Sequence, residues 1–299
     1  MAQAPTDVQA QAAIRPVQAA REIRPERHFS WWHMVVYVFL AIFTITSVGP
    51  LIFTLISSFK TMRDVLAFPP SLIPNPAVVT NYATIISNPF FLRWILNAFI
   101  YAVFATILNV VFSSMAGYAL SRMNFPGKEL IFLATLSVMM IPLAVTLIPK
   151  FLVVNGLGVI NTYWALILPA MAQPFSVFIM VQFMKGLPKE LEESAKIDGA
   201  STWRTFFQII LPQVKPALTA VAILTFQGAW NDFQWPLVAL GTQDMYTLPL
   251  GLFFFKSAHY TEYNLLLAGS MFNTIPILLL FFIFQRYFIE GAVSSGVKG

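Results

Sequence analysis

The chain contains no cysteine. That removes disulfides, thiol nucleophiles and cysteine-held metals from consideration. Histidine is nearly absent: His28, His33 and His259 are scattered, so no histidine metal cluster is expected. Charge is scarce as well. Only 10% of the 299 residues are charged, against roughly 25% in soluble domains. The long apolar runs hold a single acid, Asp232, with no cysteine and no paired carboxylates. Nothing there can do general acid–base work, which argues against an enzyme. A phosphate-binding loop is missing too, since Pro126-Gly127-Lys128-Glu129 lacks the glycine spacing and the following hydroxyl. The chain is therefore not expected to hydrolyse ATP.

What is present is apolar: 58% of residues are hydrophobic. A helix crosses the hydrocarbon core with roughly 20 apolar residues. Six stretches fit: Trp31–Phe59, Trp94–Ser121, Leu130–Pro149, Phe151–Met184 with its span starting near Tyr163, Pro216–Leu240 and Tyr263–Gln285. The expectation is an all-α, polytopic membrane protein with six transmembrane helices. Residues 1–30 carry Arg15, Arg21, Arg24 and Arg27 but no apolar core of a signal peptide. They read as a disordered cytoplasmic tail.

Loop charge sets the orientation. With the N-terminus inside, thirteen Lys and Arg fall on the cytoplasmic side and five on the outer side. Both termini are therefore expected in the cytoplasm, and the plasma membrane as the location. Outer loops include the proline-broken stretch 67–75 and the stretch 150–163, read as a short interfacial helix. Pro142, Pro149, Pro169, Pro174 and Pro236 fall in or near the spans and read as bends. Met139-Met140 reads as packing.

One polar island, Lys185–Lys215, interrupts this pattern on the cytoplasmic side. Leu187-Pro188 is read as a helix start, since proline suits the first turn. Glu190, Glu192 and Glu193 then sit at the positive end of the helix dipole. Leu187, Leu191 and Ala195 form one narrow apolar face. Asp198-Gly199 is read as the end of that helix, and Ser201 as the cap of a second. Trp203, Phe206, Phe207 and Ile210 recur at helical spacing as one apolar face. Leu211-Pro212 is expected to stop the helix. The first helix is too acidic and too thinly apolar to rest on an anionic leaflet, so it reads as a docking element for a soluble partner.

Glu193-Ser194-Ala195, Asp198-Gly199-Ala200 and Ile210-Leu211-Pro212 resemble the EAA loop of permease subunits in ATP-binding-cassette importers. Its pattern is E-A-A-x-x-x-G followed by I-x-L-P, and Ser194 replaces the usual alanine. Ser57-Ser58-Phe59-Lys60, Gly117-Tyr118-Ala119-Leu120-Ser121-Arg122, Trp230-Asn231-Asp232-Phe233 and the Gly296-Val297-Lys298-Gly299 tail are similar to the carbohydrate branch, of MalG-like type. The resemblance implies a type I importer permease fold over residues 31–290, with a cytoplasmic tail at 291–299 lying along the ATPase interface. It implies ATPase coupling through Leu191, Glu192, Glu193, Ser194, Ala195, Asp198, Gly199 and Ala200, with Glu193 pairing to a basic residue of the ATPase. It implies two ATPase subunits that bind the ATP and Mg, so no cofactor in this chain. A second, MalF-like permease, an extracytoplasmic solute-binding protein, membrane lipid and a carbohydrate substrate complete the expected partners, with no nucleic acid.

Trp230, Asn231 and Asp232 are candidates to line the translocation path, because an intramembrane acid tends to face a polar cavity or a partner. The alternative for Asp232 is that it positions the outer end of the fifth span. An ion-coupled secondary transporter is the rival function. It is disfavoured because Asp232 has no basic partner within the apolar runs.

Overall fold

The computed structural model describes residues 31–255 and 261–296, the stretch 286–296 by backbone alone. The N-terminal tail and residues 297–299 lie outside the described residues. The chain forms two units, one ending at Pro50 and one beginning at Leu51. Among the described residues every regular element is a helix. The helices are α1 Trp31–Ser57, α2 Met62–Val65, α3 Thr80–Ile86, α4 Phe91–Arg122, α5 Lys128–Met139, α6 Leu143–Gly156, α7 Tyr163–Ala170, α8 Pro174–Lys185, α9 Glu190–Ile197, α10 Thr202–Gln213, α11 Lys215–Trp230, α12 Gln234–Ala239, α13 Leu248–Phe253 and α14 Tyr263–Gly296.

Residues 31–50 of the first unit are the start of α1, whose mean hydropathy reaches 2.2. In this stretch Thr46 folds its hydroxyl back onto the carbonyls of Ile42 and Phe43 at 2.9 and 3.0 Å. That removes a polar group an apolar surround would penalise.

In the second unit α4 is the central helix, and α7, α8, α11 and α13 pack on it. Small residues permit the close approach: Ala98, Ala102 and Ala105 are fully buried. At Gly117 a Cβ atom would lie 2.5 Å from the Met180 Cβ of α8. Small residues serve this purpose between membrane helices, where lipid supplies no hydrophobic drive for association. Two buried asparagines tie the bundle. Asn109 Nδ2 donates to Ser176 Oγ and Thr225 Oγ1, both at 2.7 Å, and its Oδ1 accepts from Gln173 N at 2.9 Å. Asn97 Nδ2 donates to the carbonyls of Asp244 and Tyr246, and its Oδ1 accepts from the Tyr163 hydroxyl at 2.6 Å.

Below α1, Ser57, Ser58 and Lys60 are all buried. Asn81 Nδ2 donates to the carbonyls of Ser58 and Lys60, and its Oδ1 accepts from Asn264. The Lys60 ammonium donates to the Ser71 carbonyl. The first family-like motif is thus a buried clamp between the end of α1, α3 and α14.

Among the described residues four helical stretches are long and apolar enough to cross a membrane: Trp31–Ser57, Phe91–Arg122, Tyr163–Lys185 and Tyr263–Gln285. The expected fourth span begins at Tyr163, as read from the sequence. The other two expected spans are not straight helices. Leu130–Pro149 divides into α5 and α6, which are bent by 111°. Pro142 is the cause: it fixes its own φ and forbids helical backbone at Ile141, so the ladder breaks at 140–142. Lys150 accordingly lies inside α6 rather than starting an interfacial segment. Pro216–Leu240 is also divided: α11 has 16 residues, breaks after Trp230 and resumes at Gln234. By length and composition the described residues reach six spans when α5 with α6, and α10 with α11, are each counted as one bent span. At the far end the backbone is helical to Gly296, so the expected tail from 291 is a continuation of α14.

Candidate functional site

Two places collect the residues singled out by sequence. The first is the polar island. α9 begins at Glu190 rather than at Pro188. The carbonyl of Leu187 would have accepted the first helical bond, but the Arg122 guanidinium takes it at 2.6 Å. The same guanidinium lies 3.8 Å from Glu192, with the arginine side chain only 5% exposed. Tyr118 brings its hydroxyl to Glu192 as well. The last residues of α4 therefore fasten the start of α9.

Leu187 and Leu191 are half-buried and Ala195 is buried, so this face turns inward onto the rest of the chain. Glu193, Ser194 and Asp198 are exposed on the other side. The helix ends in a complete Schellman motif. Ala200 N donates to Ala195 O at 2.9 Å, Gly199 N donates to Lys196 O at 3.1 Å, and Gly199 has φ +74°. Ser201 then caps α10, its Oγ accepting from Arg204 N at 3.3 Å. Both caps stand where the sequence placed them.

The expected single apolar face of α10 is split. Thr205–Ile210 is π-helical, and its wider turn shifts the register of the face. Phe206 and Ile210 are buried at 2% and 0% exposure, while Trp203 and Phe207 are exposed at 60% and 54%. Nor does Leu211-Pro212 end the helix. The Leu211 N–H bonds to Phe206 O, five residues back, and α10 continues to Gln213. The break comes at Val214, where α10 and α11 meet at 80°. One residue was missed by sequence: Ile197, at the end of α9, is 87% exposed. The signal was available, because Ile197 falls off the Leu187–Leu191–Ala195 face.

The second place is an open cavity of about 640 Å³ walled by α4, α5, α6, α7, α8, α11, α12 and the short segments between them. Asp232 lines it, in the break between α11 and α12. Both carboxylate oxygens are engaged: Oδ2 accepts from the Tyr101 hydroxyl at 3.1 Å, and Oδ1 from Trp235 N at 3.2 Å. The two sequence readings of Asp232 are therefore compatible, since one oxygen holds the start of α12 and the side chain also faces the cavity. Lys150, Tyr101, Gln173, Gln234 and Trp235 share the wall. The Lys150 ammonium lies 3.9 Å from the centre of the Trp235 ring, and its charge acts on Asp232. A cation from between the apolar runs thus shares the cavity wall with Asp232. The missed signal was the break at Pro142, which swings Lys150 off the expected boundary and onto α6.

Trp230 and Asn231 do not line the cavity. Trp230 is 1% exposed and donates its indole N–H to Asn273 O at 2.9 Å. Asn231 is exposed, and its Oδ1 accepts from Asn273 Nδ2 at 2.9 Å. Met139 lines the cavity and Met140 is 85% exposed, so the pair is not core packing.

Residues 109–291 match the family described as "Binding-protein-dependent transport system inner membrane component". The chain belongs to that family. It is a permease, a multi-pass inner-membrane subunit of an importer, and not an enzyme. This permease is 39% identical to the "Arabinooligosaccharides transport system permease protein AraQ" of Halalkalibacterium halodurans, over 90% of this chain and 97% of that one. With AraQ of Bacillus subtilis it shares 35% identity, over 93% and 100%. Its fold matches a chain of a bacterial ABC transporter for import of the acidic polysaccharide alginate, with TM-score 0.77 and 21% identity, over 86% and 96%. The family match includes α9, α10 and every residue of the cavity wall except Tyr101.

Proposed function

We propose that this permease forms half of the membrane pathway of an ATP-driven importer for a neutral oligosaccharide. Its partners are two ATPase subunits that bind the ATP and Mg, a second, MalF-like permease, and an extracytoplasmic solute-binding protein that delivers the sugar. Both termini and the polar island lie in the cytoplasm. The rigid seating of α9 is the observation that carries the reading. The helix is capped at its C-terminal end and pinned by Arg122 at the other. Its outward side offers Glu193, Ser194, Ile197 and Asp198. A helix held this firmly transmits displacement. Glu193 pairs with a basic residue on the ATPase, Ile197 fills an apolar hollow beside it, and Gly199 with Ala200 sets the turn behind them.

The cavity supports the substrate class. It sets one acid and one base side by side with indole, phenol and amide groups. Such a wall has no large net charge, and it offers hydrogen bonds to hydroxyls. Nucleotide-driven closure of the ATPases moves α9, and α9 moves α8 and α11 on either side of the island, so the cavity alternates between the two faces of the membrane.

Reconstitution tests the proposal. Proteoliposomes holding this permease with its co-purified partners should take up an arabino- or malto-oligosaccharide only with ATP inside and binding protein outside. Uptake driven instead by a proton or sodium gradient, without ATP, would assign the chain to the ion-coupled class.

A further inference from the structure

α10 and the exposed pair Trp203 and Phe207 have no role in the function above. The two rings stack at 5.9 Å and 17°. Trp203 is 60% exposed and Phe207 is 54% exposed. Beneath them, Phe207 meets the buried Phe206 edge-on at 4.8 Å, and Phe206 packs on Tyr118 at 5.1 Å. Fully burying one such side chain is favourable by roughly 1.5–3 kcal/mol, so an exposed stack invites a cover.

We propose that α10 lies flat in the membrane–water boundary, with Trp203 and Phe207 seated in the lipid of the leaflet on that side. Three observations place it there. First, α11 packs along α4, and α4 is apolar enough to span the membrane. α10 crosses α11 at 80°, so it runs close to the membrane plane. Second, its depth is fixed. Tyr118 lies one turn before Arg122, the last residue of α4, and Phe206 packs on Tyr118. α10 is therefore level with the end of a spanning helix, about 6 Å inside it at 1.5 Å per residue. At that level tryptophan is favoured, because its ring is apolar and its N–H remains wet. Third, charge is complementary. From Thr202 to Lys215 there are two cations, Arg204 and Lys215, and no acid. Both are exposed, and anionic headgroups attract them. α9 has the opposite character, with three acids in its first turn. The island thus divides its labour: α9 faces the soluble partner and α10 faces lipid. The proposal uses the docking reading only to name the cytoplasmic leaflet.

The absence of cysteine makes the test direct. Single variants Trp203→Cys, Phe207→Cys and Glu193→Cys are spin-labelled in the assembled importer, with the partner chains' thiols replaced. The complexes are placed in nanodiscs of phosphatidylcholine and phosphatidylglycerol. Collisions with oxygen, which concentrates in lipid, are compared with collisions with a water-soluble nickel chelate. Labels at 203 and 207 are expected to favour oxygen several-fold. A preference for the chelate at both positions overturns the proposal in favour of water. Protection from both reagents overturns it in favour of a protein cover, the ATPase included. If Trp203→Cys does not assemble, Phe207→Cys alone decides the outcome. The label at 193 reports separately on the docking reading. It should be open to the chelate in the permease and closed once the ATPase is bound. An open label at 193 in the full complex removes that reading and leaves the lipid result standing.

Discussion

The docking helix and the cavity are built on opposite plans. α9 is eight residues long and owes its position to hydrogen bonds with near neighbours plus long-range anchors from the end of α4, Arg122 and Tyr118. The cavity has no such local frame. Tyr101, Lys150, Gln173 and Asp232 come from segments far apart in the chain and meet only because proline breaks and buried amides bring α4, α6, α8 and α12 together. The docking helix must keep its shape under load, and local caps provide that at little cost in polar burial. The cavity must present polar groups within an apolar body, and each of them needs a partner from elsewhere.

The largest effect should come from cutting the link between α9 and α4. Arg122→Leu leaves Glu192 and the Leu187 carbonyl without their buried cation. Leaving a half-buried carbonyl and a partly exposed carboxylate without their partner costs about 1–3 kcal/mol, so the purified variant should retain markedly less ATPase in pull-down. Normal assembly would show that α9 is held by other means. Gly199→Val should come next. No neighbouring atom lies within 4 Å of an added Cβ, so the penalty is the backbone at φ +74° alone, about 1–2 kcal/mol. Assembly should survive while uptake falls about tenfold, because an equilibrium loses a factor of ten per 1.4 kcal/mol. Transport at the parent rate would separate α9 rigidity from coupling.

Effects on the cavity should be smaller. Asp232→Ala should reduce uptake several-fold with normal assembly; unchanged transport would remove Asp232 from the path. Tyr101→Phe deletes one hydrogen bond to that carboxylate, worth about 0.5–1.5 kcal/mol, and uptake kinetics should shift by less than Asp232→Ala. A larger effect at Tyr101 than at Asp232 would mean that the phenol, not the acid, faces the sugar.

The same contrast explains what could be read from the amino-acid sequence. Gly199 and Ser201 were legible because caps are settled within five residues of chain. The start of the fourth span at Tyr163 was legible because hydropathy is additive along the chain. Pro142 was noted, yet a bend of 111° follows only when the packing on both sides is known. The π-helix at 205–210 was hidden, since Trp203, Phe206, Phe207 and Ile210 fit an ordinary helix equally well. The nearness of Lys150 to Asp232 was hidden because it depends on that bend. Asn97 and Asn109 were passed over for a simpler reason: only charged residues were sought within the apolar runs, and these two are neutral.

Asn109 has a mechanical consequence. One amide joins α4 to Gln173 and Ser176 at the start of α8 and to Thr225 in α11. α8 leads into the docking island and α11 leads out of it. The island therefore spans two members of a triangulated frame whose third member is α4, with a shared pin at the asparagine. A truss of this kind has no free joint at the pin, so a push on the island displaces the frame as a whole instead of prising its members apart.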